Sequence, residues 1–177
     1  EDVHSNLHGA LRFLSFQQQA NGSMIPKNST RGQLLDNALA SIALNNGLSA
    51  GLFLTSSVYD GLRNYAYACV TNEGKVSTPE GREVEGGSEE EVFLTGSLLA
   101  IIRGAGGNIY GSQGMALIRK ALTLIPNSSN ISPAGYLFSA WAMSVFPAEE
   151  WQEYQEALLG LVPSMIKSEG QPTFPLP

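Results

Sequence analysis

The chain has 177 residues and a net charge of −6, and 43% of its residues are hydrophobic. This length and apolar content suffice for one globular domain and argue against a disordered chain. Its ten Lys and Arg residues are scattered, which argues against a nucleic-acid partner, because such binding needs clustered positive charge. The longest apolar runs fall well short of the ~20 residues that cross a bilayer, so no membrane insertion is expected.

Helical periodicity appears from the start of the chain. Apolar residues at helical spacing predict a first helix over about residues 4–19, and Gly22 follows it as a residue type that commonly ends helices. A second apolar stripe predicts a helix over about residues 34–47. A third helix is expected to begin with Ser56 or Ser57 as its N-cap.

A polar stretch rich in Gly, Pro and Glu separates this half of the chain from the next. After it, Ser88 and Glu91 have the spacing of a capping box, and the helix that they open is predicted to end at Gly104. Three further helices are predicted over about residues 115–125, 136–146 and 148–167. Pro163 is expected to kink or stop the last of these.

Two helical segments resemble each other. Residues 38–47 and 95–104 share the placement of small residues, apolar residues and a terminal Gly. They define units of roughly 45–57 residues, a length at which helical hairpins repeat. We therefore predict an all-α fold of repeated antiparallel helical hairpins, with about seven helices. Residues 1–170 form one domain, and residues 171–177 form a Pro-rich tail.

One segment carries a family resemblance. Residues 13–24 read Phe-Leu-Ser-Phe-Gln-Gln-Gln-Ala-Asn-Gly-Ser-Met. They resemble the aromatic-Leu-x-x-x-Gln-x-x-x-Gly-x-Trp repeat motif of the terpenoid cyclase and prenyltransferase α/α-toroids. Gln18 and Gly22 match, and Met24 stands in the place of the Trp. The resemblance implies a partial α/α-toroid, in which the Gln side chain ties the end of one helix to the start of the next.

The catalytic motifs of that superfamily are absent. The chain has no Asp-x-Asp-Asp cluster and no Cys-Gly-Glu-Gln motif, and its single cysteine, Cys69, is predicted to lie in the core. His4 and His8 have the spacing of metal ligands, but a zinc site needs further ligands. We therefore predict neither a metal site nor a cofactor. Other α/α-toroids process polysaccharides with paired carboxylates, and this alternative stays open.

Polar residues at two helix starts are candidate ligand-binding residues. Asp36 and Asn37 open one inner helix, and Glu90 and Glu91 occupy the equivalent place in the next unit. Carboxylates from adjacent helix starts could act as acid and base on a glycan. The simpler interpretation is that they complement the positive ends of the helices.

Aromatic residues offer a second candidate surface. Tyr136 and Trp141, together with Trp151, could stack against a sugar or an apolar ligand, although helical spacing is more typical of core packing.

We therefore predict a helical-repeat binding or structural module of a longer protein, and a carbohydrate-active hydrolase or lyase as the alternative. Expected partners are other domains of the same chain, a protein or glycan ligand, or a second copy in a homodimer. An extracellular or periplasmic location is indicated by the low charge and by Asn-x-Ser/Thr sequons. These sequons begin at Asn21, Asn28, Asn127 and Asn130.

Overall fold

A computed structural model describes residues 2–24, 30–125 and 132–168 of the chain. The predicted sequons at Asn28, Asn127 and Asn130 and the predicted tail at residues 171–177 lie outside these ranges. The described residues form seven α-helices: α1 (Val3–Phe16), α2 (Thr30–Ser49), α3 (Ser56–Tyr67), α4 (Glu89–Gly104), α5 (Ser112–Thr123), α6 (Pro133–Met143) and α7 (Gln152–Ser168). The predicted all-α fold class is confirmed.

Helix α4 lies at the centre of the molecule. All of its residues are buried except Glu89, Glu90 and Arg103. It makes its most extensive contacts with α6 and α2, and it also packs against α3 and α5. A helix that is apolar on every side becomes a core helix, because no face of it gains from exposure to water. Helix α1 packs on α2, and α7 packs on α6.

Short-range signals explain several helix starts. The Asp2 side chain accepts a hydrogen bond from the N–H of His4 at 3.1 Å and caps α1. The Ser88 hydroxyl accepts from the N–H of Glu91 at 3.1 Å, so the predicted capping box is confirmed on this side. Its return bond reaches Gly87, whose N–H donates to the Glu91 carboxylate at 2.7 Å.

Other predicted boundaries are wrong. Helix α1 ends at Phe16, before residue 19, because the N–H of Gln19 donates to the carbonyl of Ser23 at 2.7 Å. Helix α3 begins at Ser56 with Thr55 as its N-cap, so neither Ser56 nor Ser57 occupies the cap position.

Of the two effects predicted for Pro163, a kink or a stop of the helix, the stop is wrong. A short 3-10 helix, Ala148–Glu150, precedes α7, which then continues through Pro163 to Ser168. Pro163 lies on an exposed part of the helix, as does Leu159 four residues earlier. Water can therefore hydrogen-bond a carbonyl that the proline leaves without a donor, and the helix tolerates the residue.

The connection between α3 and α4 contains the β-bridges of the described chain. Val70 pairs with Val76, and Ser77 pairs with Glu83, both in antiparallel fashion. Val70 and Val76, which belong to this connection, are buried. The polar stretch rich in Gly, Pro and Glu is therefore folded, and Val76 and Thr78 within it are buried.

Candidate functional site

Asn37 lies in the protein core. Its side-chain oxygen accepts from the N–H of Met24 at 2.7 Å. Its amide nitrogen donates to the Ser23 hydroxyl at 2.9 Å and to the Gln33 carbonyl at 2.7 Å. These bonds fasten the segment after α1 to α2. The Asn37 amide is thus engaged within the protein, and its neighbour Asp36 is half-buried.

Glu90 and Glu91 each face a cation. The buried Glu91 carboxylate accepts from the Lys120 ammonium at 2.6 Å, which links the start of α4 to α5. Glu90 forms an ion pair with both terminal guanidinium nitrogens of Arg82, Nη1 and Nη2, and this hydrogen bonding raises the pKa of Arg82. The arrangement matches the simpler interpretation, in which acidic residues stabilise a helix start.

Tyr136 and Trp141 pack against protein groups. Tyr136 is fully buried and meets Tyr154 edge to face, with ring centroids 6.3 Å apart. The guanidinium carbon of Arg103 lies 4.1 Å from the centroid of the half-buried Trp141 ring. Burial lowers the pKa of Arg103. One face of Trp141 is therefore covered by a cation from α4.

The matching residues of the repeat motif meet at the segment after α1. The Gln18 side chain donates to the carbonyl of Gly22 at 3.1 Å and to that of Val58 at 2.9 Å. Gly22 adopts a φ of 88°, and a Cβ on it would lie 2.0 Å from the carbonyl oxygen of Gly61. Gln18 therefore ties the end of α1 to the first turn of α3. The resemblance implied a tie to the start of the next helix along the chain, which is α2.

Cys69 is buried, and its sulfur lies 3.4 Å from the carbonyl oxygen of Tyr65. Burial, with a smaller effect from the charge of Glu80, raises the pKa of the thiol to about 11. The thiolate is the reactive form, so this cysteine is a core residue and a poor nucleophile. The predicted core position of Cys69 is confirmed.

Three surface cavities lined by described residues are relevant to ligand binding. Two of them are open and adjacent, with volumes of about 510 and 190 Å³. They share Gln19, Ala20 and Asn21, whose side chains lie on the segment after α1. Asn21 is exposed, while the hydroxyl of the same sequon, on Ser23, is buried against Gln33 and Asn37.

The third cavity is smaller and mainly apolar, with a volume of about 90 Å³. We call it the Trp151 cavity. It lies where α5, the end of α6 and the short 3-10 helix meet. Its lining residues are Met115, Ile118, Arg119, Leu122, Met143, Phe146, Glu150 and Trp151. Of these, sequence analysis singled out only Trp151. None of the six predicted site residues lines any of the three cavities.

Trp151 carries a polar atom without a hydrogen-bond partner in the described residues. This atom, the indole nitrogen Nε1, is buried. Buried indole N–H groups usually have a partner. The charged side chains at the cavity, those of Arg119 and Glu150, belong to exposed residues. The cavity therefore combines apolar walls with a rim that carries one charge of each sign.

The described ranges contain no group of three or more His, Cys, Asp or Glu side chains placed to hold a metal ion. Among the helices of these ranges, none combines the length and the apolar character needed to cross a bilayer.

Comparison with known protein families, curated proteins and solved structures finds no match. Among the described residues, the Trp151 cavity is the feature best suited to bind a ligand, because its lining is mainly apolar.

Proposed function

We propose that this chain is a helical-repeat binding module and that the Trp151 cavity receives a small apolar group. One observation carries the proposal, namely that five apolar side chains surround a space of about 90 Å³ beside a partly exposed tryptophan. Ligand sites are typically concave and mostly apolar, with few polar groups. The Trp151 cavity has this composition.

The volume limits the size of the group. An engineered protein cavity of about 150 Å³ holds benzene, which has six carbon atoms. In proportion, about 90 Å³ holds about four carbon atoms, the size of a branched aliphatic group. Larger ligands would leave their remaining atoms outside the cavity.

The motif at Gln18 and the packing order support the architecture proposed for this module. Helix α4 packs between α2 and α6. Helix α1 packs beside α2, α3 packs beside α4, and α5 packs beside both α4 and α6. We propose that these six helices form an arc of hairpins similar to part of an α/α-toroid. Other domains, protein or glycan partners, homodimer formation and an extracellular or periplasmic location stay predictions.

The carbohydrate-active alternative has less support. It needs two carboxyl groups that share one cleft, and those of Glu90 and Glu91 are paired with Arg82 and Lys120. We therefore favour the binding module.

Xenon tests the proposal directly, because it enters apolar cavities without needing a hydrogen bond. We would label the methionine methyl groups with carbon-13 and record their NMR signals under xenon pressure. Met115 and Met143 line the cavity, whereas Met24 is buried beside α2 and serves as an internal reference. We expect Met115 and Met143 to shift and Met24 to stay in place.

A pair of variants separates cavity binding from a general response. Leu122→Phe adds bulk to the cavity wall, and Leu14→Phe makes the same change at a half-buried position on α1. The shifts should disappear in the first variant and persist in the second. Unshifted Met115 and Met143 signals in the unmodified chain would overturn the proposed function.

A further inference from the structure

We infer that the exposed side of α1 binds the exposed side of α7 of a second copy of this chain, so that copies associate head to tail. The inference does not depend on the Trp151 cavity. Three observations carry it: the apolar residues exposed on α1, the opposite charges of the two helices, and their positions at opposite ends of the packed helices.

Helix α1 exposes four large apolar side chains although it packs on α2. Val3, Phe13 and Phe16 are 80%, 64% and 75% exposed, and Leu7 is 45% exposed. Val3 and Leu7 lie one turn apart, as do Phe13 and Phe16. Single exposed apolar residues are ordinary on a protein surface, but a concentration of them on one helix is typical of a surface that binds a partner. We call these four residues, together with the exposed Arg12, the α1 face.

Helix α7 exposes acidic residues beside a leucine. Glu153 and Glu156 are exposed and lie one turn apart, and Leu159, the next residue at this spacing, is 71% exposed. Tyr154, on another side of the helix, is buried against Tyr136 of α6. We call Glu153, Glu156 and Leu159 the α7 face. Residues 149–161 contain four glutamates and neither Lys nor Arg, so the surroundings of this face are negatively charged.

The charges favour contact between unlike faces. Residues 3–16 contain Arg12 and neither Asp nor Glu, while Asp2, before the helix, is engaged as its N-cap. Contact between two α1 faces would bring two guanidinium groups together, and contact between two α7 faces would bring carboxylates together. Like charges across an interface disfavour binding, whereas opposite charges favour the partner that carries them. The α1 face therefore pairs with the α7 face.

The two helices lie at opposite ends of the packed helices. Contacts in the described ranges run from α1 to α2, from α2 to α4, from α4 to α6 and from α6 to α7. Apart from isolated contacts, α1 and α7 each pack on one described helix, which leaves another side of each available. In repeat proteins, neighbouring units bury each other's faces, and an open end needs a cap. Two complementary ends produce a head-to-tail contact, which closes into a ring or continues into a filament.

Two variants that each disable one face test this pairing. The α1 variant carries Phe13→Gln and Phe16→Gln, which remove apolar surface, and the α7 variant carries Glu156→Lys and Leu159→Lys, which would repel Arg12. All four positions are exposed, so both variants should fold, as circular dichroism would verify. Light scattering on the unmodified chain should give an average mass that rises above 18.9 kDa with concentration. Each variant alone should stay at the mass of one chain.

A mixture of the two variants distinguishes head-to-tail contact from the other modes. It contains one intact α1 face and one intact α7 face, so an equimolar mixture should form a one-to-one dimer that grows no further. If α1 faces bound each other, the α7 variant would associate by itself, and if α7 faces bound each other, the α1 variant would do so. Either result would overturn the inference, as would an unmodified chain that stays monomeric at millimolar concentration.

The charge complementarity has its own test in the mixed dimer. Arg12→Glu would be added to the α7 variant, which supplies the intact α1 face. We expect this change to weaken the mixed dimer about 5-fold at low ionic strength, and the difference should nearly vanish at about 1 M salt, where charges are screened. An unchanged dissociation constant at low ionic strength would contradict the inference, because the choice of α7 as the partner depends on these charges.

Discussion

A Cβ atom placed on Gly96 would lie 2.0 Å from the carbonyl oxygen of Gly135. The approach is mutual, because a Cβ on Gly135 would lie 2.7 Å from the carbonyl oxygen of Val92. Helices α4 and α6 therefore touch backbone to backbone where they cross. Protein interiors have little free volume to absorb an added atom. This contact brings the central helix against α6, whose C-terminal end forms one wall of the Trp151 cavity.

We predict that Gly96→Ala destabilises the protein by about 1–3 kcal/mol, since the helices must separate to admit the methyl group. Gly9→Ala is the matched control, because Gly9 is exposed on α1 and a Cβ there meets no atom within 4 Å. It should stabilise α1 by about 0.5–1 kcal/mol through helix propensity. Urea unfolding followed by circular dichroism measures both, and equal midpoints for the two variants would contradict the packing at Gly96.

The core amide of Asn37 gives a prediction with a pH dependence. In Asn37→Asp, a carboxylate oxygen would replace the amide N–H group that now donates to the Gln33 carbonyl. The carbonyl would lose this donor, at a cost of about 1–3 kcal/mol. A protonated aspartic acid can donate again, so the pKa of the new carboxyl should be raised in the folded state. The destabilisation should therefore be larger at neutral pH than at acidic pH.

The measurement for Asn37→Asp is the free energy of unfolding, from urea titrations at several pH values, relative to that of the unmodified chain. Asn6→Asp, at an exposed position of α1, is the control and should leave stability nearly unchanged. If the difference in unfolding free energy between Asn37→Asp and the unmodified chain does not change with pH, the hydrogen bond that the Asn37 amide donates to Gln33 is not required for stability.

The ion pair between Glu91 and Lys120 should contribute more to the stability of the folded chain than the one between Glu90 and Arg82. Lys120→Met leaves the buried Glu91 carboxylate without its cation, and we expect a loss of about 1–3 kcal/mol. Arg82→Met removes the cation of an exposed pair and should have little effect.

The double variant Lys120→Met with Glu91→Gln tests the reason for this loss. A neutral amide no longer needs a cation and still accepts from Gly87, so the double variant should be more stable than Lys120→Met alone. Thermal unfolding at fixed pH compares the unmodified chain with Lys120→Met, Arg82→Met and the double variant. If Glu91→Gln lowers the stability further, a buried unpaired charge is not the cause.

The raised pKa of the Cys69 thiol predicts a loss of folding stability at alkaline pH. This thiol has a pKa of about 11 in the folded chain, above the ordinary value of 9.0. As the pH rises through this interval, the unfolded chain releases the proton first and the folded state loses at most about 3 kcal/mol. Below the ordinary value, this contribution to stability is fully present.

Burial also raises the pKa values of Tyr65, Tyr67 and Tyr154, so the test compares the unmodified chain with Cys69→Ala. The difference in unfolding free energy between the two proteins should shrink between about pH 9 and pH 11. A constant difference across this range would mean that the thiol ionises equally in both states.

Local patterns in the sequence were sufficient to predict the all-α class and the number of helices. Helical periodicity is a short-range property, and it survives whichever way the helices later pack. The capping box at Ser88 and Glu91 and the core position of Cys69 were equally readable, because each depends on neighbours in the chain or on residue type.

Only the tertiary structure decided what the candidate site residues contact. Asn37, Glu91 and Tyr136 are polar or aromatic residues at helix positions, and the sequence offered no means to see that the core and Lys120 would engage them. Trp151 and Met115 lie on different elements, and their convergence depends on how α5, α6 and the 3-10 helix meet. Periodicity determines which face of a helix is apolar, but the atoms opposite that face depend on contacts between residues far apart in the chain.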